Sequence, residues 1–208
     1  MEYLARRDRV MARLIRKAGP CTLKPEPRRT PYQSLVRAVA HQQLNGTAAA
    51  TILRRFQALF PGRRFPRPED VATTPDEALR AAGLSGAKVA AIRDITSRVL
   101  SGEIPGSRAM RGMADEEVVE RLTAARGVGR WTVEMLLMFQ LGRPDVLPAD
   151  DYGIRSGFRI AYGHQGLPRP RDLQAFGERW RPHRTVASWY LWRAVDMARS
   201  DPRAKPIA

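Results

Sequence analysis

The 208-residue chain has a single cysteine, Cys21. It can form no intramolecular disulfide and cannot supply the four thiolates of an iron–sulfur cluster. Histidine is almost as scarce: His41, His164 and His183 are the only three, and each also suits a surface or satisfied polar role. Lysine occurs only as Lys17, Lys24, Lys88 and Lys205, so none lies from residue 89 to 204. No apolar run approaches the roughly 20 residues that a membrane helix needs. The opening Met-Glu-Tyr-Leu-Ala-Arg-Arg-Asp-Arg lacks the pattern of a signal peptide. These absences point to a soluble, intracellular (cytoplasmic) protein with no membrane partner.

What is present is an ordinary apolar content of 43%, enough for one core or two small lobes. The net charge is +15 and the pI about 11.2. Such a balance favours a polyanionic partner. The excess is almost all arginine, however, and an arginine bias can also follow genome composition.

Residues 3–17 place Leu4, Val10, Met11, Leu14 and Ile15 at helical spacing and predict one amphipathic helix. Lys24 to Pro31 is a proline-rich connector. Leu35, Val36 and Val39 then give a core face that stops at Gln42-Gln43-Leu44-Asn45-Gly46, and a second helix follows to about Phe60. Residues 61–74 are rich in Pro and Arg and read as loop. Thr74-Pro75-Asp76-Glu77 reads as a capping box with Pro at the first helical position. Gly83-Leu84-Ser85-Gly86 ends that helix, Val89, Ile92, Ile95 and Val99 mark the next, and Asp115 starts another. Helices are also predicted from Asp151 to about Tyr162 and near 171–180 and 182–198, with residues 201–208 expected to fray.

The stretch from Leu122 to Ile154 organises the rest. An apolar helix end meets Gly127-Val128-Gly129, and a new helix begins near Arg130. Glycine permits positive φ and leaves the backbone bare. A phosphate can then approach the amides of Gly127, Gly129 and the helix start. An ordinary tight turn uses the same residues. Asp151 follows Thr132 by 19 residues, between Pro148-Ala149-Asp150 and Tyr152-Gly153-Ile154-Arg155, the pattern of a helix start. The dipole and free amides there favour an anion, which makes a poor proton donor and a good anionic stabiliser. Capping explains one member of the Asp150–Asp151 pair, not both.

Gly127-Val128-Gly129-Arg130-Trp131-Thr132, followed at this spacing by Pro148-x-Asp-Asp151-Tyr152, resembles the helix-hairpin-helix base-excision DNA glycosylases. The stretch is most similar to the 3-methyladenine DNA glycosylase II family. The resemblance implies an all-α, two-lobed helix-hairpin-helix glycosylase fold, with no iron–sulfur cluster and without the N-terminal β-domain of longer relatives. It implies a single domain over 1–208: a middle lobe at 33–120, a second lobe of 1–32 with 121–208, and the hairpin near 122–133.

The implied activity is monofunctional excision of alkylated bases, of the 3-methyladenine and 7-methylguanine type, from double-stranded DNA in base excision repair. A monomer would flip the base and hydrolyse its N-glycosidic bond. By resemblance Asp151 is the catalytic group and Asp150 a cap or supporting residue. Trp131, Met135, Tyr152 and Trp192 would line the base pocket, since a cationic base favours electron-rich faces. Met135 stands where a close relative carries an aromatic. Gln42, Gln43, Leu44, Lys88, Gly127, Val128, Gly129, Arg130 and Thr132 would contact DNA, with Gln43 as the wedge that fills the gap left by the flipped nucleotide. No cofactor is required. The carbonyl oxygens of Thr123, Ala125 and Val128 would hold a monovalent cation, Na+ or K+. Strand-cleaving relatives place a Schiff-base lysine where this chain has Trp131, which implies no lyase activity.

Each assignment has a plainer counterpart. Trp and Tyr are common core residues, Gln42 and Gln43 suit a solvated turn, and Lys88 suits an exposed surface. Two other functions also remain. A non-catalytic helix-hairpin-helix DNA-binding module accounts for the charge and Gly-Val-Gly but not for Asp151 or Trp131. A glycosylase for another damaged or mispaired base is weighed against by the single cysteine and the missing lysine.

Overall fold

The computed structural model describes residues 1–200, and every regular element among them is helical. In chain order these are α1 (Glu2–Arg7), α2 (Arg9–Ala18), α3 (Pro31–His41), α4 (Gly46–Ala58), α5 (Pro68–Thr73), α6 (Asp76–Ala81), α7 (Gly86–Leu100), α8 (Ser107–Arg111), α9 (Asp115–Thr123) and α10 (Arg130–Leu136). A π-helical turn, Leu137–Leu141, continues α10; then come α11 (Tyr152–Tyr162), α12 (Pro170–Gly177), a 3-10 turn (Glu178–Trp180) and α13 (Arg184–Ser200). Among the described residues no helix is long and apolar enough to cross a membrane. The expected fraying of 201–208 lies outside the described residues.

The chain divides into two compact units: Met1–Pro25 with Leu137 onward, and Glu26–Leu136. The boundaries expected at 33–120 and 121 therefore move. The hairpin belongs to the middle unit, because α10 packs on α9 and on α3. The division falls where α10 passes into the π turn, and no Gly- or Pro-rich linker marks it.

In the first unit α13 packs against α11 and α2. Leu4, Met11, Leu14, Phe158, Trp180, Tyr190 and Leu191 form its core. The single helix expected over 3–17 is two, and Asp8 is the reason. Its backbone is extended (φ −148°), and its Oδ1 accepts the amides of Val10 and Met11 at 3.0 and 3.1 Å, capping α2. Its Oδ2 accepts the Tyr162 hydroxyl at 2.5 Å and Trp180 Nε1–H at 3.0 Å. The carboxylate thus ties α2 to the far end of α11. Burial, with Asp8 against it, pushes the Tyr162 phenol well above its ordinary range.

In the second unit α3 packs on α4, α7 and α10, around buried Leu35, Val36, Val39, Phe56, Ile92 and Ile95. Thr30 and Gln33 close a capping box at the start of α3. The region read as loop over 61–74 contains α5, whose Pro68 sits at a helix start and whose Asp70 accepts the Arg67 amide at 2.8 Å. The capping box expected at Thr74 does not form. The Thr74 hydroxyl donates backward to the Asp70 carbonyl at 2.8 Å, and α6 begins after Pro75 without a side-chain cap.

Asp8→Ala removes the cap of α2 and strips the buried Trp180 N–H and the Tyr162 hydroxyl of their acceptor. The expected loss is about 3 kcal/mol of unfolding free energy, read from urea denaturation. A change below about 0.5 kcal/mol would show that this network does not hold the unit together.

Candidate functional site

Asp151 is the N-cap of α11. Its Oδ1 accepts the Ile154 amide at 2.7 Å and Trp192 Nε1–H at 2.9 Å. The indole comes from α13 and reaches the carboxylate because α11 carries glycine at two successive turns facing that helix. A Cβ at Gly157 would lie 2.0 Å from the Leu191 carbonyl oxygen, so the backbones meet there. A Cβ at Gly153 would lie 2.9 Å from Trp192 Cδ1 and 3.0 Å from Asp151 Oδ1. Phe139, in the π turn, stacks on Trp192 with centroids 5.9 Å apart and planes at 24°. A π turn alters the direction of the side chains it carries and recurs at functional positions.

The segment that leads into Asp151 is clamped from α13. Buried Arg184 forks onto Asp145, Nε to Oδ1 at 2.9 Å and Nη2 to Oδ2 at 3.0 Å. Thr185 Oγ1 donates to the Arg143 carbonyl at 2.6 Å and accepts the Val146 amide at 3.0 Å. A planar guanidinium with two parallel bonds fixes orientation as well as distance. Asp150, expected as a cap or supporting group, is exposed, and the cap is Asp151 itself.

The hairpin lies in the other unit. Gly127 has φ +76°, which only glycine adopts without strain, and a Cβ there would meet the Ala91 Cβ at 3.1 Å. Gly129 does not use the positive φ that glycine permits, and a Cβ on it would point into open space, so its backbone is left bare. Val128 and Thr132, expected as DNA contacts, are buried, and their amides donate to the carbonyls of Ala125 and Gly129 at 3.1 and 3.0 Å. Arg130 is half exposed and pairs with Glu116 and Glu134. The guanidinium holds the Glu116 carboxyl below its ordinary range.

Lys88, expected at a phosphate, donates from Nζ to the Ala40 carbonyl in the last turn of α3 at 2.8 Å. Burial lowers its pKa. Gln42 Nε2 donates one N–H to the Gly127 carbonyl at 2.8 Å. Gln43 and Leu44 are exposed. The Ala125 carbonyl accepts the Val128 amide at 3.1 Å and keeps a second lone pair. Among the described residues no cluster of His, Cys, Asp or Glu could hold a metal ion. Main-chain oxygens, the donors expected at Thr123, Ala125 and Val128, are ligands for hard cations and not for transition metals.

Tyr152 and Trp192 share the first unit with Asp151, whereas Trp131 and Met135 lie one turn apart on α10 in the second. Core packing does not account for Trp131 or Tyr152, which are 48% and 69% exposed. Met135 is half-buried. Phe139 was missed by the sequence reading, although its spacing of four residues from Met135 was a signal for it.

This combination of an amide-presenting hairpin with a capped aspartate has counterparts among repair proteins. The model of the HhH-GPD superfamily base excision DNA repair proteins matches residues 36–182, and the chain belongs to that superfamily. Its relatives place it in the 3-methyladenine DNA glycosylase family. DNA-3-methyladenine glycosylase 1 of Schizosaccharomyces pombe is 38% identical over 199 residues, covering 94% of this chain and 86% of that protein. The alkylbase DNA glycosidase-like protein mag2 of the same organism is 33% identical over 199 residues, covering 95% and 93%. Among solved structures, the S. pombe 3-methyladenine DNA glycosylase in complex with abasic DNA superimposes with a TM-score of 0.84 at 37% identity, covering 98% of both chains. A Bacillus halodurans DNA-3-methyladenine glycosidase gives 0.85 at 36%, covering 96% and 89%.

The two glycines of α11 make separable predictions. Gly153→Ala presses on the indole edge and on Asp151 Oδ1, both side chains that can shift without moving backbone, so the Trp192–Asp151 hydrogen bond is lost. Base release should fall by about tenfold with a near-unchanged melting temperature, the cost of one charge-assisted bond. Gly157→Ala drives a Cβ into the Leu191 backbone and should destabilise by roughly 1–3 kcal/mol, read from the thermal midpoint. Equal melting losses in both variants would contradict the separation.

Proposed function

We propose that the protein is a monofunctional DNA glycosylase that excises alkylated bases, of the 3-methyladenine and 7-methylguanine type, by flipping the base and hydrolysing its N-glycosidic bond. It acts as a monomer on double-stranded DNA inside the cell, in base excision repair. Relatives over 30% identical across most of the chain are named a DNA-3-methyladenine glycosylase and an alkylbase DNA glycosidase-like protein, and the placement of Asp151 is the single observation that supports the chemistry.

Glycosidic cleavage develops positive charge on the sugar. Asp151 is a fixed carboxylate, with Oδ1 held by the Ile154 amide and the Trp192 indole. A preorganised anion stabilises that charge without reorganising when it forms. An alkylated purine already carries positive charge and leaves as a neutral base, so the mechanism needs no general acid. Exposed Tyr152, with Trp192 and Phe139 stacked nearby, offers π faces that attract the cationic base. The hairpin backbone at Gly127 and Gly129 holds a phosphate, assisted by Na+ or K+ at the carbonyls of Thr123, Ala125 and Val128. Gln43 fills the space of the flipped nucleotide. Trp131 has no amine to form a Schiff base, so base loss proceeds without strand cleavage.

Asp151→Asn tests the proposal cleanly. Asparagine caps a helix as well as aspartate does, and its oxygen can still accept from Ile154 and Trp192, so the fold should survive. Only the charge goes. Base release from methylated DNA should fall by roughly two or more orders of magnitude, with binding to damaged duplex retained. Near-wild-type release of 7-methylguanine by this variant would refute the mechanism.

A further inference from the structure

Gln43 is the only non-glycine residue with positive φ, +57°, among the described residues. A side chain seldom adopts that conformation unless its surroundings over-determine it, and such positions cluster at functional sites. What fixes it can be traced. The Leu44 amide donates to the His41 carbonyl at 3.2 Å, and Asn45 caps α4 through the Ala48 amide at 2.8 Å. On the other side stands α7. Lys88, Ala91 and Asp94 are spaced by three and form one stripe of that helix. Lys88 holds the Ala40 carbonyl, Ala91 faces Gly127, and Asp94 Oδ2 accepts the Arg126 amide at 2.7 Å. The stripe therefore grips the end of α3 and the hairpin together. One bond closes the ring between the two: Gln42 Nε2–H to the Gly127 carbonyl at 2.8 Å, across 85 residues of sequence.

We propose that Gln42 is a positioning residue that couples the wedge Gln43 to the phosphate-holding hairpin, and does not itself contact DNA. One of its two amide N–H groups is used on Gly127, and its backbone is the immediate neighbour of the strained residue. Holding Gly127 and Gln43 in one frame means that a phosphate seated on the hairpin also sets where the wedge enters. The cost of ordering the loop is met before DNA arrives. This rests on the reading of Gln43 as the wedge.

The test is a double-mutant cycle on the full-length protein. Excision of 7-methylguanine is measured from a duplex and from the same strand alone, for wild type, Gln42→Ala, Gln43→Ala and the double variant, with thermal midpoints as a check on folding. Gln42→Ala should lower the duplex-to-single-strand ratio by roughly three- to tenfold, the worth of one neutral hydrogen bond. The double variant should match Gln43→Ala alone, because a residue that acts only through Gln43 then has nothing left to position. Losses that multiply would mean that Gln42 contacts DNA in its own right and would overturn the proposal, as would an unchanged ratio in Gln42→Ala. A silent Gln43→Ala would remove the wedge reading itself. Any loss in Gln42→Ala would then belong to the hairpin alone, and the coupling would fall with it.

Discussion

The close approach of α11 and α13 is the constraint on which the chemistry depends. It exists because Gly157 lets the Leu191 carbonyl come nearer than any side chain would allow. Once the backbones meet there, Trp192 is carried to the start of α11, and Gly153 leaves room for its indole to reach Asp151. Neither helix alone would fix the carboxylate. A capped aspartate without the indole could rotate about its own side-chain bonds, and an indole without the glycines would be held away from it. Arg184 then settles the segment that precedes the cap. Both devices come from α13, so the helix packed against α11 decides where the anion sits.

The second unit solves a different problem with different means. There the task is to hold backbone in conformations that side chains disfavour, at Gly127 and at Gln43. The solution is a helix, α7, whose stripe of Lys88, Ala91 and Asp94 takes up carbonyls and amides that would otherwise be left at helix ends. Lys88 illustrates the trade. Its ammonium sits at the C-terminal turn of α3, where a cation is favoured, and partial burial lowers its pKa. A lysine placed that way closes the end of α3, where the Gln42–Gln43 turn begins.

Legibility from sequence followed the range of each interaction. The helix start after Pro148 could be read because the partners of a cap lie within three residues, but the cap expected at Asp150 falls on Asp151, since either of two adjacent aspartates fits that local pattern. The helix over 86–100 could be read because its periodicity is local. The Trp192–Asp151 bond spans 41 residues and the Gln42–Gly127 bond 85, and no local pattern encodes either. The break at Asp8 was hidden for the same reason. Periodicity ran straight through it, and the cause lies at Tyr162 and Trp180. Thr74 failed differently: the residues of a capping box were present, but the hydroxyl had a nearer acceptor in the Asp70 carbonyl. The hairpin was recognised and yet assigned to the wrong unit, because its packing against α3 leaves no mark on either segment.

The surplus of +15 does not say which arginines carry it, and several are committed to partners within the fold. Arg184 is buried on Asp145, Arg93 reaches Asp76 and the carbonyls of Val71 and Thr74, Arg98 bridges Asp94 and Glu103, and Arg130 lies between Glu116 and Glu134. Arginine suits these places because its planar fork can satisfy a carboxylate and a carbonyl at once and remains charged when partly buried. The arginines thus form two populations, one that closes helix ends and loops and another that meets solvent. Each arginine named here faces at least one carboxylate, so these pairs take nothing from the surplus of +15, which is already counted net of the acidic residues. In this chain the positive charge that a nucleic acid would meet, and the counterions it would displace, belong to the arginines outside these pairs.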